Sequence, residues 1–299
     1  MPHSQTWTTL RELQLSGKYK NVFRHDKYHS GIVSIFTEPQ VAIGQRAFLL
    51  CTEKGNVLWD CITYLDELTV QRITALGGIS AIIISHPHYY STALHWAEAF
   101  GCKVYLSAED EEWLMRKGPA HSFWEGQRME LLDGQFLAVK VGGHFPGSSV
   151  LLWKSEKKLF VADSITVIPS GVYHIDRPAD TASFTFMWSY PNMVSWSPSI
   201  GLQPFLLLPL LYPPWWLKSA NASGRGQIPL PPDEVHGIWK AVADLDFEDT
   251  HGAFWARDTR GRSKERVLES AKIMVRFMGY ASHAIQEELI AATRPTQAA

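Results

Sequence analysis

The sequence predicts a mixed α/β fold of the α+β kind, with helices on the outer faces of a β-sheet structure. Two patterns predict it: antiparallel strands open the chain, and a strand–helix–strand alternation follows them. The composition agrees, because 45% of the 299 residues are hydrophobic and 19% are charged. A net charge of −2 without a run of basic residues argues against nucleic acid as a partner.

The antiparallel opening consists of three apolar segments separated by turn residues: 31–36, 46–52 and 56–61. Residues 65–76 then carry apolar side chains at helical spacing and end at Gly77, and a short buried-strand run covers 81–84. The change of period from two to 3.6 marks the start of the strand–helix–strand part.

The alternation continues with a predicted helix at 91–100, which Gly101 stops, and a strand at 103–106. Ser107 is predicted to be the N-cap of a further helix reaching Arg116. Later strands are predicted at 136–141, 149–153 and 158–162, and a helix opens at Pro231 and runs to Ala243.

The sequence also bears on location. The N-terminus has neither a basic region nor an apolar run, so we expect a cytoplasmic protein. The uncharged stretch 198–217 is interrupted by Pro204, Pro209, Pro213 and Pro214, which argues against a membrane span. Three cysteines without CxxC spacing indicate reduced thiols rather than a disulfide framework.

Candidate metal ligands follow three of the predicted strands. His86 and His88 come directly after the strand at 81–84, and two residues of an H-x-H pair in extended backbone point to the same side. His144 follows the strand at 136–141 in a glycine-rich turn, and Asp163 follows the strand at 158–162. Each residue alone has a simple explanation as a capping, surface or turn residue. Together they favour a zinc or iron site at the strand ends.

These motifs resemble those of the metallo-β-lactamase superfamily over residues 31–276. The resemblance rests on His86-Pro-His88, Gly143-His144 and Ala162-Asp163. It implies a four-layer αββα sandwich formed by a single domain over 1–299, with one or two metal ions held between the β-layers. It also implies a hydrolase in which the metal generates hydroxide from water near neutral pH.

The sequence departs from the family pattern H-x-H-x-D-H, because Tyr90 and Ser91 stand at the positions of the Asp and the third His. The resemblance therefore implies one ion rather than two. Zinc is the expected metal, with iron or manganese as alternatives, and the expected ligands are His86, His88, His144 and Asp163. His251 stands where the family often has its last His and would rebuild part of a second site; its alternative is a simple His-Gly turn.

Asp163 and Tyr90 are the candidate catalytic residues. Tyr90 would give the attacking water a neutral hydrogen bond where a carboxylate is missing, and its alternative is an aromatic wall of the pocket. We expect a hydrolase acting on a small-molecule ester, thioester, lactone or amide. The alternatives are a member that binds metal or ligand without turnover, motivated by Tyr90 and Ser91, and a mononuclear-iron redox or lyase enzyme. The oligomeric state is not predicted.

Residues 194–227 fit neither the helical nor the strand period, and they are rich in proline and apolar side chains. We interpret them as a non-native insertion, a retained intron. Codons for Val194-Ser195 can form a splice donor, those for Gln227 an acceptor, and the length is a whole number of codons. The alternative is a genuine lid or membrane-touching loop. Residues from about 285 to 299 are predicted to form a flexible tail.

Overall fold

The first β-sheet contains seven strands in sequential order. A computed structural model describes residues 8–172, 180–188 and 229–290 of the chain. Strands β1 to β4 pair antiparallel, and β4 to β7 pair parallel. The strands are β1 (Lys20–His25), β2 (Ile32–Glu38), β3 (Ala47–Leu50), β4 (Val57–Trp59), β5 (Ala81–Ile83), β6 (Lys103–Ser107) and β7 (His121–Trp124). The predicted change from antiparallel to parallel pairing is confirmed at β4.

The second sheet contains six strands in the order β15-β14-β11-β10-β9-β8. They are β8 (Arg128–Leu131), β9 (Phe136–Lys140), β10 (Ser149–Trp153), β11 (Lys158–Phe160), β14 (Asp249–His251) and β15 (Asp258–Thr259). Pairing is antiparallel except between β11 and β14, which run parallel. Two short strands, β12 (Thr166–Val167) and β13 (Phe184–Thr185), form a separate ribbon.

Five α-helices lie in the described part of the chain: α1 (Leu10–Leu15), α2 (Glu67–Ala75), α3 (Ala93–Phe100), α4 (Pro232–Val242) and α5 (Ser263–Phe277). Helix α2 begins at Asp66, whose carboxylate accepts the Thr69 N–H at 2.8 Å. None of the described helices is long and apolar enough to cross a membrane.

Three hydrophobic clusters define the layers. One joins inward-facing residues of both sheets, such as Trp59 and Phe136. A second packs the other face of the first sheet against helices α2 and α3, and a third packs the second sheet against α4 and α5. Strand β4 shows the two-residue period that makes this possible, since Trp59 faces the other sheet and Leu58 faces the helices. The predicted four-layer αββα sandwich is confirmed.

Several local predictions need correction. Ser107 is the N-cap residue as predicted, but the helix after it is a 3-10 helix that ends at Trp113, short of Arg116, and the Ser107 side chain donates to Glu109 rather than accepting from the helix backbone. Strand β11 ends at Phe160, two residues earlier than predicted. Strands β1, β7 and β8 were not predicted, because exposed and half-buried positions interrupt their apolar pattern.

The predicted insertion at 194–227 lies outside the described residues. The predicted tail is described as far as residue 290. Ile285 is fully buried within it, and the Glu288 carboxylate accepts the Trp239 indole N–H at 3.3 Å. Packed residues therefore extend past the predicted start of the tail at 285.

Candidate metal centre

Four predicted ligands meet at one edge of the sandwich, between the two sheets. His86 and His88 follow β5 in the first sheet, whereas His144 and Asp163 follow β9 and β11 in the second. A hydrogen bond from the Ser149 amide to the Ser85 carbonyl, at 2.9 Å, joins the sheets beside these residues. The ends of three strands thus bring side chains from distant parts of the sequence to one point.

The ligand atoms are spaced as a tetrahedral metal site requires. The His88 Nδ1 atom lies 3.1 Å from His86 Nε2 and 3.4 Å from His144 Nε2. The Asp163 Oδ2 atom lies 3.4, 3.8 and 3.5 Å from the same nitrogens of His86, His88 and His144. A tetrahedron with metal–ligand bonds of about 2.0–2.1 Å has an edge of about 3.3 Å. The residues therefore fit one metal ion with three imidazoles and one carboxylate.

The backbone conformation that brings the His86 and His88 rings together differs from the predicted one. His86 is extended, but His88 lies within a 3-10 helix over Pro87–Tyr89. The turn brings His88 round so that it offers Nδ1 while His86 offers Nε2. The prediction that the two imidazoles share a point is correct, and the prediction of a continuous extended segment is wrong.

Two of the histidines have their tautomers fixed by groups behind them. The Ser85 hydroxyl lies 2.8 Å from His86 Nδ1 and donates to the Asp60 carboxylate at 3.0 Å, so it accepts from His86 Nδ1–H. His144 Nδ1 lies 3.0 Å from the Met187 carbonyl, which can only accept. Both arrangements leave the Nε2 lone pair directed at the shared point, as metal-ligating histidines require.

The loop that carries His144 depends on glycines and on Asp110. Gly142 and Gly143 have φ of 67° and 80°, and a Cβ atom on Gly143 would lie 2.8 Å from carbon atoms of Ile238 and Leu230. The Gly147 amide donates to the Asp110 carboxylate at 2.8 Å. Backbone freedom and one buried hydrogen bond therefore hold His144 in place.

The electrostatics of this cluster favour neutral His86 and His144 rings beside an ionised Asp163. Burial lowers the pKa of His86, and burial followed by the charge of His86 lowers the pKa of His144 to about 4. Burial alone would raise the pKa of Asp163, but the neighbouring His86 and His88 rings hold it well below its usual value. Unprotonated histidines and an ionised aspartate are the forms that bind a metal cation.

Asp60 was not singled out from the sequence, although it belongs to this centre. It is buried, has a φ of 63°, and accepts hydrogen bonds from both the backbone and the hydroxyl of Ser85. Burial raises its pKa to about 8, and the bonds from Ser85 oppose this shift. The signal that pointed to Asp163, an aspartate directly after a buried strand, also applies to Asp60 after β4.

Tyr90 is buried next to the ligands, and its hydroxyl has no hydrogen-bond partner among the described residues. Burial, followed by the charge of Asp110, raises the pKa of this phenol. Tyr90 and His88 line the same cavity of about 220 Å³. The structure thus places the second candidate catalytic residue in the wall of a pocket that reaches a metal ligand.

The structure does not bring His251 together with the four ligands. Its ring is buried against Phe160, with Nδ1 3.1 Å from the Asp258 carboxylate and Nε2 3.4 Å from the Arg260 guanidinium. It belongs to a separate group with Asp26 and Asp258. A guanidinium at Nε2 repels a metal cation, so His251 does not complete a second site in this arrangement.

Comparisons with known proteins agree with this fold. The profile of the metallo-beta-lactamase superfamily matches residues 42–245. An uncharacterized protein, YmaE of Bacillus subtilis (strain 168), is 42% identical over 274 residues, covering 90% of this chain and 82% of YmaE.

Solved structures with similar folds include the metallo-beta-lactamase TMB-1, with 14% identity and a TM-score of 0.53 over 88% of this chain and 99% of TMB-1. A second is FIM-1 from Pseudomonas aeruginosa in its mono-zinc form, with 14% identity and a TM-score of 0.51 over 86% and 96% of the two chains.

Proposed function

Since the chain belongs to the metallo-β-lactamase superfamily, we propose that it is a metal-dependent hydrolase with a mononuclear centre. Its metal is zinc, with iron or manganese as the other candidates, and the ligands are His86, His88, His144 and Asp163. Its substrate is a small-molecule ester, thioester, lactone or amide.

One observation carries this proposal: three imidazole nitrogens and one carboxylate oxygen stand 3.1–3.8 Å apart in the measured pairs. Without a cation, lone pairs of neutral imidazoles would face one another at these distances unless protons lay between them. The hydrogen bonds at His86 Nδ1 and His144 Nδ1 place the protons on the far side of both rings. A bound cation balances this arrangement.

A bound zinc ion supplies Lewis acidity and a water molecule whose pKa is lowered to about 7. The chain's own residues position the reactants. His86 and His144 are fixed from behind by Ser85 and the Met187 carbonyl, and Asp163 lies on the opposite sheet from His86 and His88. Tyr90 lines the cavity that reaches His88, and its neutral hydroxyl has a hydrogen bond to donate.

A second candidate function is binding of a metal or small ligand without turnover. It is favoured by Tyr90 and Ser91, which occupy the positions where the family pattern has an aspartate and a histidine. A carboxylate that accepts a proton is thereby replaced by a phenol whose pKa burial raises, and an ionised phenolate is not available as a base.

The two functions are separated by activity of a metal-loaded protein. The purified chain is loaded with zinc, manganese or ferrous iron and tested on aryl esters, thioesters, lactones and amides, with Asp163→Asn as the control. Hydrolysis that requires the metal and falls at least 100-fold in the variant supports the hydrolase. Stoichiometric metal without turnover on any class of substrate supports the binding protein.

A further inference from the structure

We infer that this hydrolase acts on an anionic substrate, one whose apolar body occupies the cavity beside His88 and whose carboxylate or phosphate binds Arg116. The inference rests on the proposed function and specifies its substrate class. It is carried by the apolar lining of the cavity and by the guanidinium of Arg116, which makes no ion pair with the described residues.

The cavity beside His88 has an apolar wall. Its volume is about 220 Å³, and Leu94, Trp113, Leu114 and Met115 line it together with Tyr90. Met115 lines it from an exposed position, with 86% of its surface accessible. This volume is below the usual range of drug-sized sites, about 300–1,000 Å³, so the apolar body is a small one.

Arg116 is the one arginine or lysine on the described lining of this cavity, and that lining contains no carboxylate. It makes no ion pair within residues 8–172, 180–188 and 229–290, and its one hydrogen bond, to the Ser91 carbonyl, is long at 3.5 Å. The next residue, Lys117, pairs instead with Glu111 at 2.5 Å. A guanidinium with free donors beside an apolar pocket matches the planar oxygens of a carboxylate or phosphate.

A neighbouring cavity extends this positive region. It has a volume of about 500 Å³ and shares Ser91 and Arg116 with the first cavity. Arg11, His95 and Gln14 also line it, and its described lining contains no carboxylate. An anionic group that reaches Arg116 from the small cavity therefore meets further hydrogen-bond donors and no carboxylate on the described lining of this neighbouring cavity.

Equilibrium binding tests the inference without turnover. The zinc-loaded protein is titrated with benzoate, phenyl phosphate and the neutral isostere benzamide, in wild type, Arg116→Met and Lys117→Met. Lys117→Met is the matched control, because this substitution removes an adjacent cation that does not line the small cavity. We expect at least one anion to bind tenfold or more tightly than benzamide in wild type and in Lys117→Met, and this preference to vanish in Arg116→Met. Whichever of benzoate and phenyl phosphate binds more tightly shows whether the anionic group of the substrate is a carboxylate or a phosphate.

Two results overturn the inference: equal binding of anions and benzamide to wild type, or an anion preference that persists in Arg116→Met with its zinc intact. In the second case the anion binds the metal itself. Zinc content and far-UV circular dichroism of each variant verify that the fold and the metal centre are retained.

Hydrolysis separates this inference from the proposed function. The ratio of kcat/KM for 4-acetoxybenzoate to that for phenyl acetate is measured in the same three proteins. A ratio above ten in wild type that falls to about one in Arg116→Met supports both proposals. Hydrolysis of both esters with a ratio unaffected by Arg116→Met contradicts the substrate class alone. An anion preference in binding without hydrolysis of either ester contradicts the hydrolase alone.

Discussion

Two clusters of histidine and aspartate lie in this molecule, and they balance their charges differently. The metal centre combines His86, His88, His144 and Asp163, and no lysine or arginine forms an ion pair with Asp163 in the described chain. The arginine cluster, formed by Asp26, Asp258 and His251 with Arg46 and Arg260, brings its own cations.

The comparison shows that ligand-type residues in close contact do not by themselves make a metal site. Arg46 donates to Asp258 at 2.6 Å, and Arg260 donates to Asp26, so the positive charge in the arginine cluster is already present. In the metal centre two histidines direct unprotonated nitrogens to a shared point, and a cation is needed there. The chain supplies the cations of the arginine cluster, and we propose that a metal ion supplies the cation of the other group.

The largest expected effect comes from removing the cation of the arginine cluster. Arg46 is buried and donates to Asp258, Gly252 and Ser34. Arg46→Met leaves these groups without their donor, and loss of one partner of a buried ion pair costs about 3–5 kcal/mol. Chemical denaturation measures this loss, with Arg46→Met/Asp258→Asn expected to recover part of it. A loss below about 1 kcal/mol would show that the arginine does not balance this cluster.

Asp110 sharpens the comparison, because it is a buried carboxylate without an ion pair among the described residues. Burial raises its pKa to about 6. The folded protein therefore binds this proton more tightly than the unfolded chain, and the free energy of unfolding falls as the pH rises from about 4 to about 6. We expect this fall, at most about 3 kcal/mol, to be absent in Asp110→Asn.

Denaturation of both proteins at several pH values measures the difference. Glu109 and Lys140 lie near Asp110 in both proteins, so their titration cancels in the comparison. Parallel curves for wild type and Asp110→Asn would contradict the assigned shift.

We expect a smaller effect from removing the hydrogen bond between the Ser85 hydroxyl and His86. The Ser85 hydroxyl accepts from His86 Nδ1–H and donates to Asp60. Ser85→Ala removes this link and is expected to weaken zinc affinity about 10–100-fold, the usual cost of losing a partner of a ligating histidine. Competition with a chromophoric chelator measures the affinity. Ser85→Thr, which keeps the hydroxyl, should bind zinc more tightly than the alanine variant. Equal affinities would show that the hydroxyl does not support zinc binding by His86.

Tyr90→Phe is expected to have the smallest effect. The proposed role of the hydroxyl is one neutral hydrogen bond, worth about 0.5–1.5 kcal/mol, so kcat should fall by about tenfold or less while the zinc content stays unchanged. Steady-state kinetics on the best ester measures the change. An unchanged kcat would leave Tyr90 as an aromatic wall, and a fall above 100-fold would make it the proton-transfer group.

The sequence predicted the metal centre better than the arginine cluster, for a physical reason. His86, His144 and Asp163 each follow a strongly apolar strand, and strand ends meet at one edge of a sandwich whatever the loops do. His251 is held by Asp258 and Arg260, and Asp258 in turn accepts from Arg46, which is 212 positions away in the sequence. No local pattern reports such a contact. Edge strands β1, β7 and β8 were missed for a related reason, since exposure breaks their period.

The most direct test of the account is the zinc content of two matched variants, His144→Gln and His251→Gln, measured by elemental analysis after zinc loading and removal of excess metal. The wild type and His251→Gln are expected to hold one zinc ion per chain, and His144→Gln close to none, with circular dichroism showing that all three are folded. Loss of zinc from a folded His251→Gln, or retention of one equivalent in His144→Gln, would contradict the assignment of the metal to His86, His88, His144 and Asp163.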